Sequence, residues 1–533
     1  MKRIYRVKLL MAKKILILVI LIFGIGFAFL NIRVNHDATT QLQNEQQIVV
    51  NPLDSLNVVA VWRDFRLGYR QVGVGYSTDG GLTWRDTLFR ETSYVWQSDP
   101  GLTVDANGNF YAVILSFNST SEPNGLFVLK STNGGRDWGA PVAVVNRVPG
   151  VFEDKELIAC DRTQSPYRGN LYVVWTRFYS TQIMLSRSTD GNQSWSSPIA
   201  ISDGSASVQW PVPAVGPNGE VYCAWVRLSS PRSIRIDKSM DGGVTWGTDR
   251  TVQDVGFGQG YIQPSVLVFS YPAMDIDITD GPHRGNIYIA YMDYGPTTSE
   301  TDLYFTKSTD GGASWSPRIR LNDDSLGNRR DQFHPWLKVD RDGVISVIWY
   351  DRRLDPNNML MDVYLTQSTD GGNTWSPNVR VTTVSSDPRL FPPPAEKWSG
   401  GQPRVLAGRL GEYNGLDAWN REMIFAIWSD TRTGNPDTYV GIKDTASAIR
   451  ARDNVKVREG LIKPNPTKSF LVVSASVGSE IKIYDFTGQL VAAQYINHPG
   501  NTGAKISLPD IKPGVYFLEI NGEKEKRRKF IRR

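Results

Sequence analysis

The octapeptide STDGGLTW begins at Ser77, and close copies begin at Ser131, Ser188, Ser239, Ser308 and Ser368. An Asp or Asn two residues after a Ser can accept backbone N–H bonds and fix a tight turn. The glycines that follow supply the positive φ such a turn requires, and the closing Trp brings a large apolar face. The turn's own backbone uses up these polar groups, so the octapeptide is read as a structural staple rather than a ligand site.

A second element recurs between the staples. Apolar strands end in an aromatic residue at Trp62, Trp175, Trp225, Tyr291, Trp349 and Trp428, and a weaker copy ends at Ile114. The seven copies stand 50 to 79 residues apart. Each has a shorter strand before it and a third strand after it. The staple then leads into a fourth strand, which the seventh copy lacks. Four short antiparallel strands repeated at this period predict an all-β fold, a β-propeller of seven blades. The missing fourth strand of the last blade is expected from Asp37 to Gln43, which would close the ring and remove the free edge. The 48 glycines, 30 prolines and 16 tryptophans suit a turn-rich protein with a large core.

The pattern S-x-D-x-G-x-x-W resembles the Asp-box, or bacterial neuraminidase repeat (BNR), of sialidases and related propellers, over roughly residues 41–443. Known sialidases have six blades, so a count of seven is a departure and six remains the family's alternative. The tail resembles the C-terminal sorting domain of the type IX (Por) secretion system of Bacteroidetes. It carries PNP, IYDFTG, IKPGVY and a basic end in that order, and a small β-sandwich is expected there. The resemblance implies passage through the periplasm to secretion or the outer-membrane surface, with the type IX machinery as a partner. At the other end, basic residues through Lys14 precede sixteen apolar ones, Ile15 to Leu30. This reads as a signal peptide, the alternative being an uncleaved anchor. The expected organisation is a signal peptide over 1–36, the propeller over 37–447, a linker over 448–459 and the sorting domain over 460–533.

A net charge of +5, partly held in the two termini, leaves no nucleic-acid footprint. Two cysteines and four scattered histidines give no metal motif, and no cofactor is expected. Cys160 and Cys223, in similar apolar strands, read as buried free thiols. The chain is expected to act as a monomer.

Chemistry is expected on the face opposite the staples, where second strands end and first strands begin. Asp64, Asp351 and Asp430 stand two positions after their tryptophans, followed by Arg66, Arg353 and Arg432. The loops leading into the blades add Glu153, Asp154 and Lys155, then Asp331 and His334, then Glu412 and Tyr413. The sialidase resemblance implies a three-arginine clamp for a substrate carboxylate, a Tyr nucleophile with a carboxylate beside it, and an Asp acid/base. Arg66, Arg353 and Arg432 are the candidates for the clamp, with Asp351 and His334 beside them for substrate. Tyr413 is the candidate nucleophile, Glu412 or Glu153 its activator and Asp64 the acid/base. The F-R-I-P motif of sialidases is absent: the equivalent strand reads VAVWRDFR. Each W-x-D-x-R group also reads as a local bridge at the rim, because a motif repeated in blades one, six and seven is more often architectural. Two functions follow: an exo-α-sialidase-like glycoside hydrolase acting on a glycan or glycoprotein, or a non-catalytic propeller that binds glycan or protein at the cell surface.

Overall fold

Alternating apolar strands bury one face each, and here every sheet buries the other face against its neighbours around an axis. The computed structural model describes residues 29–89, 94–204, 206–391 and 410–443 and the strands of a C-terminal unit. The signal segment through residue 28 and the linker 448–459 lie outside the described residues. The chain divides into two units, Met1–Asp444 and Thr445–Arg533.

The first unit is a propeller of seven four-stranded antiparallel sheets. Innermost strands are Gln43–Asn51, Trp96–Val104, Phe152–Cys160, Val208–Val215, Ala273–Ile276, Gln332–Val339 and Gly415–Asn420. Six blades then run outward in sequence order. In the seventh, Gly415–Asn420, Met423–Asp430 and Asp437–Lys443 are completed by an N-terminal strand, Leu30–Arg33. Leu30 pairs with Ile442 and Arg33 with Tyr439.

This corrects the expected closure. The closing strand is Leu30–Arg33, not Asp37–Gln43, and it lies inside the stretch assigned to the signal peptide. The physical reason is alternation. Ile32 and Val34 face the core shared with Val440 and Ile442, whereas Asp37 has no apolar role and orders the turn that follows. Its carboxylate accepts bonds from the Asn35 side chain at 2.8 Å and the Thr39 hydroxyl at 2.5 Å. Phe29 is also buried.

The strand-two aromatics form the deepest packing. Trp62, Trp175, Trp225, Trp349 and Trp428 are all fully buried. The glycines of VGVGY are there because of one of them: a Cβ at Gly73 would stand 2.4 Å from the Trp62 indole. Both cysteines are buried and free, and burial pushes the Cys160 thiol up to about 12.

The staples behave as turns. In the first, Ser77 donates to Asp79 at 2.8 Å, and Gly81 N–H donates to Ser77 Oγ at 2.8 Å. Thr83 N–H donates to Asp79 at 2.9 Å, and the Trp84 indole donates to the Gly81 carbonyl at 2.8 Å. Gly80 and Gly81 have φ of 71° and 83°. The strand three-to-four turns and the strand one-to-two turns share one face of the propeller, and the ends of strand two occupy the other.

The C-terminal unit contains two antiparallel sheets. One orders Ile462–Lys463, Phe470–Val473 and Ala504–Ser507; the other orders Leu490–Tyr495, Glu480–Asp485, Gly514–Ile520 and Arg528–Arg532.

The closing strand generates a prediction. A chain starting at Phe29 should keep the full propeller, and one starting at His36 should lose the burial of Ile32 and Val34, a loss of about 3–6 kcal/mol. Thermal denaturation of the two truncations reads the difference; equal melting temperatures would show the strand to be dispensable.

Candidate functional site

The W-x-D-x-R groups are not brought together. In a strand, residues two apart share a face, so the Trp62 indole N–H donates to Asp64 at 2.7 Å. The Trp349–Asp351 and Trp428–Asp430 bonds are each 2.8 Å. The arginine two residues on folds back in a fork. Arg66 reaches Asp64 at 2.7 Å, Arg353 reaches Asp351 at 2.8 Å and Arg432 reaches Asp430 at 2.7 Å. Arg353 also lies 4.4 Å over the Tyr364 ring, and Arg432 lies 4.5 Å over Tyr439.

Remaining donors go to neighbouring strands: Arg66 to Asp86, Arg353 to Asp323 and Asn378, Arg432 to Thr383 and Asn31. No partner of one of these arginines is shared with another among the described residues. Blade three builds the same lock with a different residue. Glu153, from the innermost strand, accepts from the Trp175 indole at 2.6 Å and from Arg177 Nε at 2.8 Å.

Asp64, Asp351 and Glu153 are thus fully engaged and essentially unexposed. Arg66, Arg353 and Arg432, expected as a clamp, and Asp64, expected as the acid/base, are each held in the lock of their own blade and do not converge. Asp351 and Glu153 belong with them. The reason is sequence-local: strand geometry puts each arginine beside its own aspartate before any other blade can reach it.

A second set converges on the axis. Trp336 pairs with Ile348 in blade six, and the register gives its equivalents in the other blades as Gln47, Gly101, Leu157, Val212, Ala273 and Gly415. Two residues before each stand Glu45, Asp99, Lys155, Trp210, Tyr271, His334 and Tyr413. Five of these adopt left-handed φ: Glu45 58°, Asp99 49°, Lys155 59°, Trp210 53° and His334 50°. A register shift marks a bulge at each of the five. Bulges re-aim side chains and are frequent beside functional sites. Here they turn one residue toward the axis in each of those five blades.

Contacts across the axis show the convergence. Lys155 of blade three bonds Asp99 of blade two at 2.7 Å and forms an ion pair with Glu412 of blade seven. The Tyr413 hydroxyl donates to the Pro100 carbonyl at 3.3 Å. Arg63 pairs with Glu45 at 2.8 Å and lies 3.8 Å from Asp99. The other half of the ring is aromatic. Trp210 lies 3.8 Å from Phe269, Tyr271 lies 6.1 Å from His334, and Trp336 lies 6.3 Å from Tyr413, centroid to centroid. Phe269 belongs to an inserted hairpin, Gln259–Ile262 and Val266–Phe269, whose Gln263 carbonyl accepts from Arg352 at 2.5 Å. A cavity of about 20 Å³, room for one water, is lined by Lys155, Glu156, Trp210, Tyr271, Trp336 and Tyr413 among others.

Burial separates the carboxyls of this cluster. It pushes Glu45 up to about 8 against the pull of Arg63, and Asp154 up to about 7 against Lys155. Glu156, whose two oxygens have no hydrogen-bond partner, is also driven well above the usual range by burial. Burial works against ionised Asp99 too, but Lys155 and Arg63 overcome it and hold this group well below the carboxylate range. Burial, then Glu45 and Asp99, push the Tyr413 phenol well up, and burial alone pushes His334 down to about 3.

Of the expected residues, the structure gathers Glu412, Tyr413, His334, Asp154 and Lys155 at the axis. Sequence reasoning missed Glu45, Arg63, Asp99, Glu156, Trp210 and Trp336. One signal was available: in four blades the ring residue precedes a proline, at Asp99-Pro100, Trp210-Pro211, Tyr271-Pro272 and His334-Pro335.

Residues 169–392 match the BNR repeat-like domain, and residues 462–532 match the secretion system C-terminal sorting domain. The chain carries a BNR repeat-like domain within its propeller and a secretion system C-terminal sorting domain after it. That domain directs the BNR propeller to secretion or the outer-membrane surface through the type IX system.

A stretch of 121 residues is 33% identical to beta-agarase A of Zobellia galactanivorans, and covers 22% of this chain and 20% of that protein. The chain therefore spans about a fifth of that relative's length. Among solved structures, the BNR propeller is similar to the leech intramolecular trans-sialidase in complex with 2,7-anhydro-Neu5Ac. That likeness has TM-score 0.44 and 14% identity, over 65% of this chain and 71% of that one. It is similar to the NanB sialidase of Streptococcus pneumoniae (TM-score 0.43, 10% identity, 62% and 68% covered). A third is the GH93 α-L-arabinofuranosidase of Fusarium graminearum (TM-score 0.40, 12% identity, 61% and 93% covered).

The strut assignment is testable. Arg353→Ala leaves the buried Asp351 carboxylate without its fork and should cost about 3–5 kcal/mol of stability, with Arg66→Ala and Arg432→Ala in the same range. Chemical denaturation measures this; a variant of unchanged stability would return that arginine to the list of ligand-binding residues.

Proposed function

We propose that the BNR propeller is a secreted glycoside hydrolase whose reacting groups are the axial carboxyls rather than the rim arginines. One observation carries the reading: Glu45 and Asp99 share a cluster, yet their protonation is pushed in opposite directions. Glycoside hydrolysis needs a carboxyl that stays protonated near neutrality to give a proton to the leaving oxygen. It also needs an ionised carboxylate to act as nucleophile or to activate water. Glu45 is suited to the first role and Asp99 to the second. The aromatic half of the ring, Trp210, Trp336 and Tyr413, offers apolar faces for a sugar ring.

The finer, exo-sialidase form of this reading asks for a carboxylate clamp. Arg63, the arginine at the ring, is committed to Glu45 and Asp99. Tyr413 stays the nucleophile candidate of that form, since Glu45, Asp99 and Glu156 all act on its phenol. Non-catalytic glycan binding is the second reading. It is favoured by the near-complete filling of the axial mouth, where Glu45 and His334 are unexposed.

Release of a fluorogenic leaving group from a panel of glycosides, sialosides included, tests both. The expected result is hydrolysis that Glu45→Gln and Asp99→Asn each reduce by about 10²-fold or more. Because Glu45 must be protonated to act, activity should fall as pH rises through about 8, and Glu45→Gln should remove that limb. Binding of a glycan with no hydrolysis of any member of the panel would select the second reading.

A further inference from the structure

The axial channel has another end. Behind the ring it continues as a cavity of about 130 Å³ lined by innermost strands. It then widens to a cavity of about 280 Å³ among the strand one-to-two turns, on the face that carries the staples. The two cavities share Arg162, Ile278, Lys338, Val339 and Asp417. The outer one adds Asp340, Arg341 and Trp419.

Backbone N–H groups hold Asp417 and one oxygen of Asp340, whose other oxygen has no hydrogen-bond partner. Asp417 accepts from Val50 N–H at 2.8 Å and Ala418 N–H at 3.0 Å. Asp340 accepts from Asp342 N–H at 2.8 Å and Val344 N–H at 3.0 Å. Lys338 is paired with Asp275 at 2.9 Å. Arg162 and Arg341 are different. Among the described residues neither guanidinium has a hydrogen bond or ion pair. Arg162 acts on Asp417 only through space, and Arg341 rests 4.1 Å over the Trp419 ring. Both line the outer cavity, Arg162 half-buried and Arg341 exposed, and a guanidinium brings five N–H donors and no acceptor.

We infer that the staple-face end of the channel is a second ligand site, which takes an anionic sugar residue. A carboxylate or sulfate on the sugar would sit in the fork of Arg162, where charge-assisted paired bonds form. The sugar ring would lie beside Trp419 and Arg341. The volume is at the small end of ligand pockets, which start at about 300 Å³, so the site fits one sugar residue and not a chain. Its location separates it from the proposed reacting carboxyls, and it does not depend on hydrolysis there. A secreted propeller built this way would hold a single acidic sugar residue by one face and present the other to a glycan.

Titration calorimetry on the mature protein tests the site with four probes: glucuronic acid, galactose 6-sulfate, galactose and inorganic sulfate. Saturable binding is expected for at least one of the two acidic sugars, and which one binds tells carboxylate from sulfate. Galactose and sulfate alone should each bind about tenfold more weakly or worse. Arg162→Gln and Arg341→Gln should each weaken the acidic sugar by about tenfold at unchanged melting temperature, and Trp419→Ala should weaken it too. The inference is overturned if neither acidic sugar binds, if galactose or bare sulfate binds equally well, or if both arginine variants bind as the wild type does. Hydrolysis is read separately on the fluorogenic panel, so failure of this site leaves the reading of the axial carboxyls standing, and the converse holds.

Discussion

Blades one, three, six and seven rest on burying an indole and still satisfying its N–H. A tryptophan at the end of strand two removes a large apolar face from water but brings one donor inside. A carboxylate two residues later accepts that donor, and an arginine two residues further neutralises the carboxylate. Each member makes the next one tolerable: the aspartate would be costly without the arginine, and the indole costly without the aspartate. Glu153 shows that the requirement is physical and not tied to one position. In blade three the carboxylate comes from another strand, and Arg177 still closes the fork.

With four blades locked in this way, the innermost strands are free to differ. Each innermost strand sends one residue into the axis, and five do so through a left-handed bulge. The seven positions are equivalent in register and unlike in chemistry: two acids, a lysine and four aromatic or imidazole side chains. A repeat architecture thereby acquires an asymmetric centre. Charge gathers on one side, where Lys155 bridges blades two and seven, and rings gather on the other.

The same division explains why some candidate residues were legible and others were not. The W-x-D-x-R groups stand out in the sequence because they repeat, and repetition is the mark of a strut. Glu45 and Asp99 stand in unlike contexts, QNEQQ and WQSDP, and nothing local pairs them. Arg63, paired opposite Asn44, meets Glu45 within blade one, and the packing of blade two against it brings Asp99 to the same guanidinium. Glu412 and Tyr413 are legible from their place before the last blade, but not their partners: Glu412 reaches Lys155 while Tyr413 reaches Pro100.

The sequence by itself determined the blade: its four strands, its staple, its count of seven and the sorting domain that follows. Those features are local, fixed by period-two alternation, by turn glycines and by side chains two residues apart. The tertiary structure decided what lies between blades. It took Leu30–Arg33 rather than Asp37–Gln43 to close the ring, because Ile32 and Val34 fit a core that exists only once blade seven meets blade one. It likewise chose the axial residues, because a bulge reveals its direction only when seven strands converge, and burial shifts a carboxyl only when its neighbours arrive from other blades.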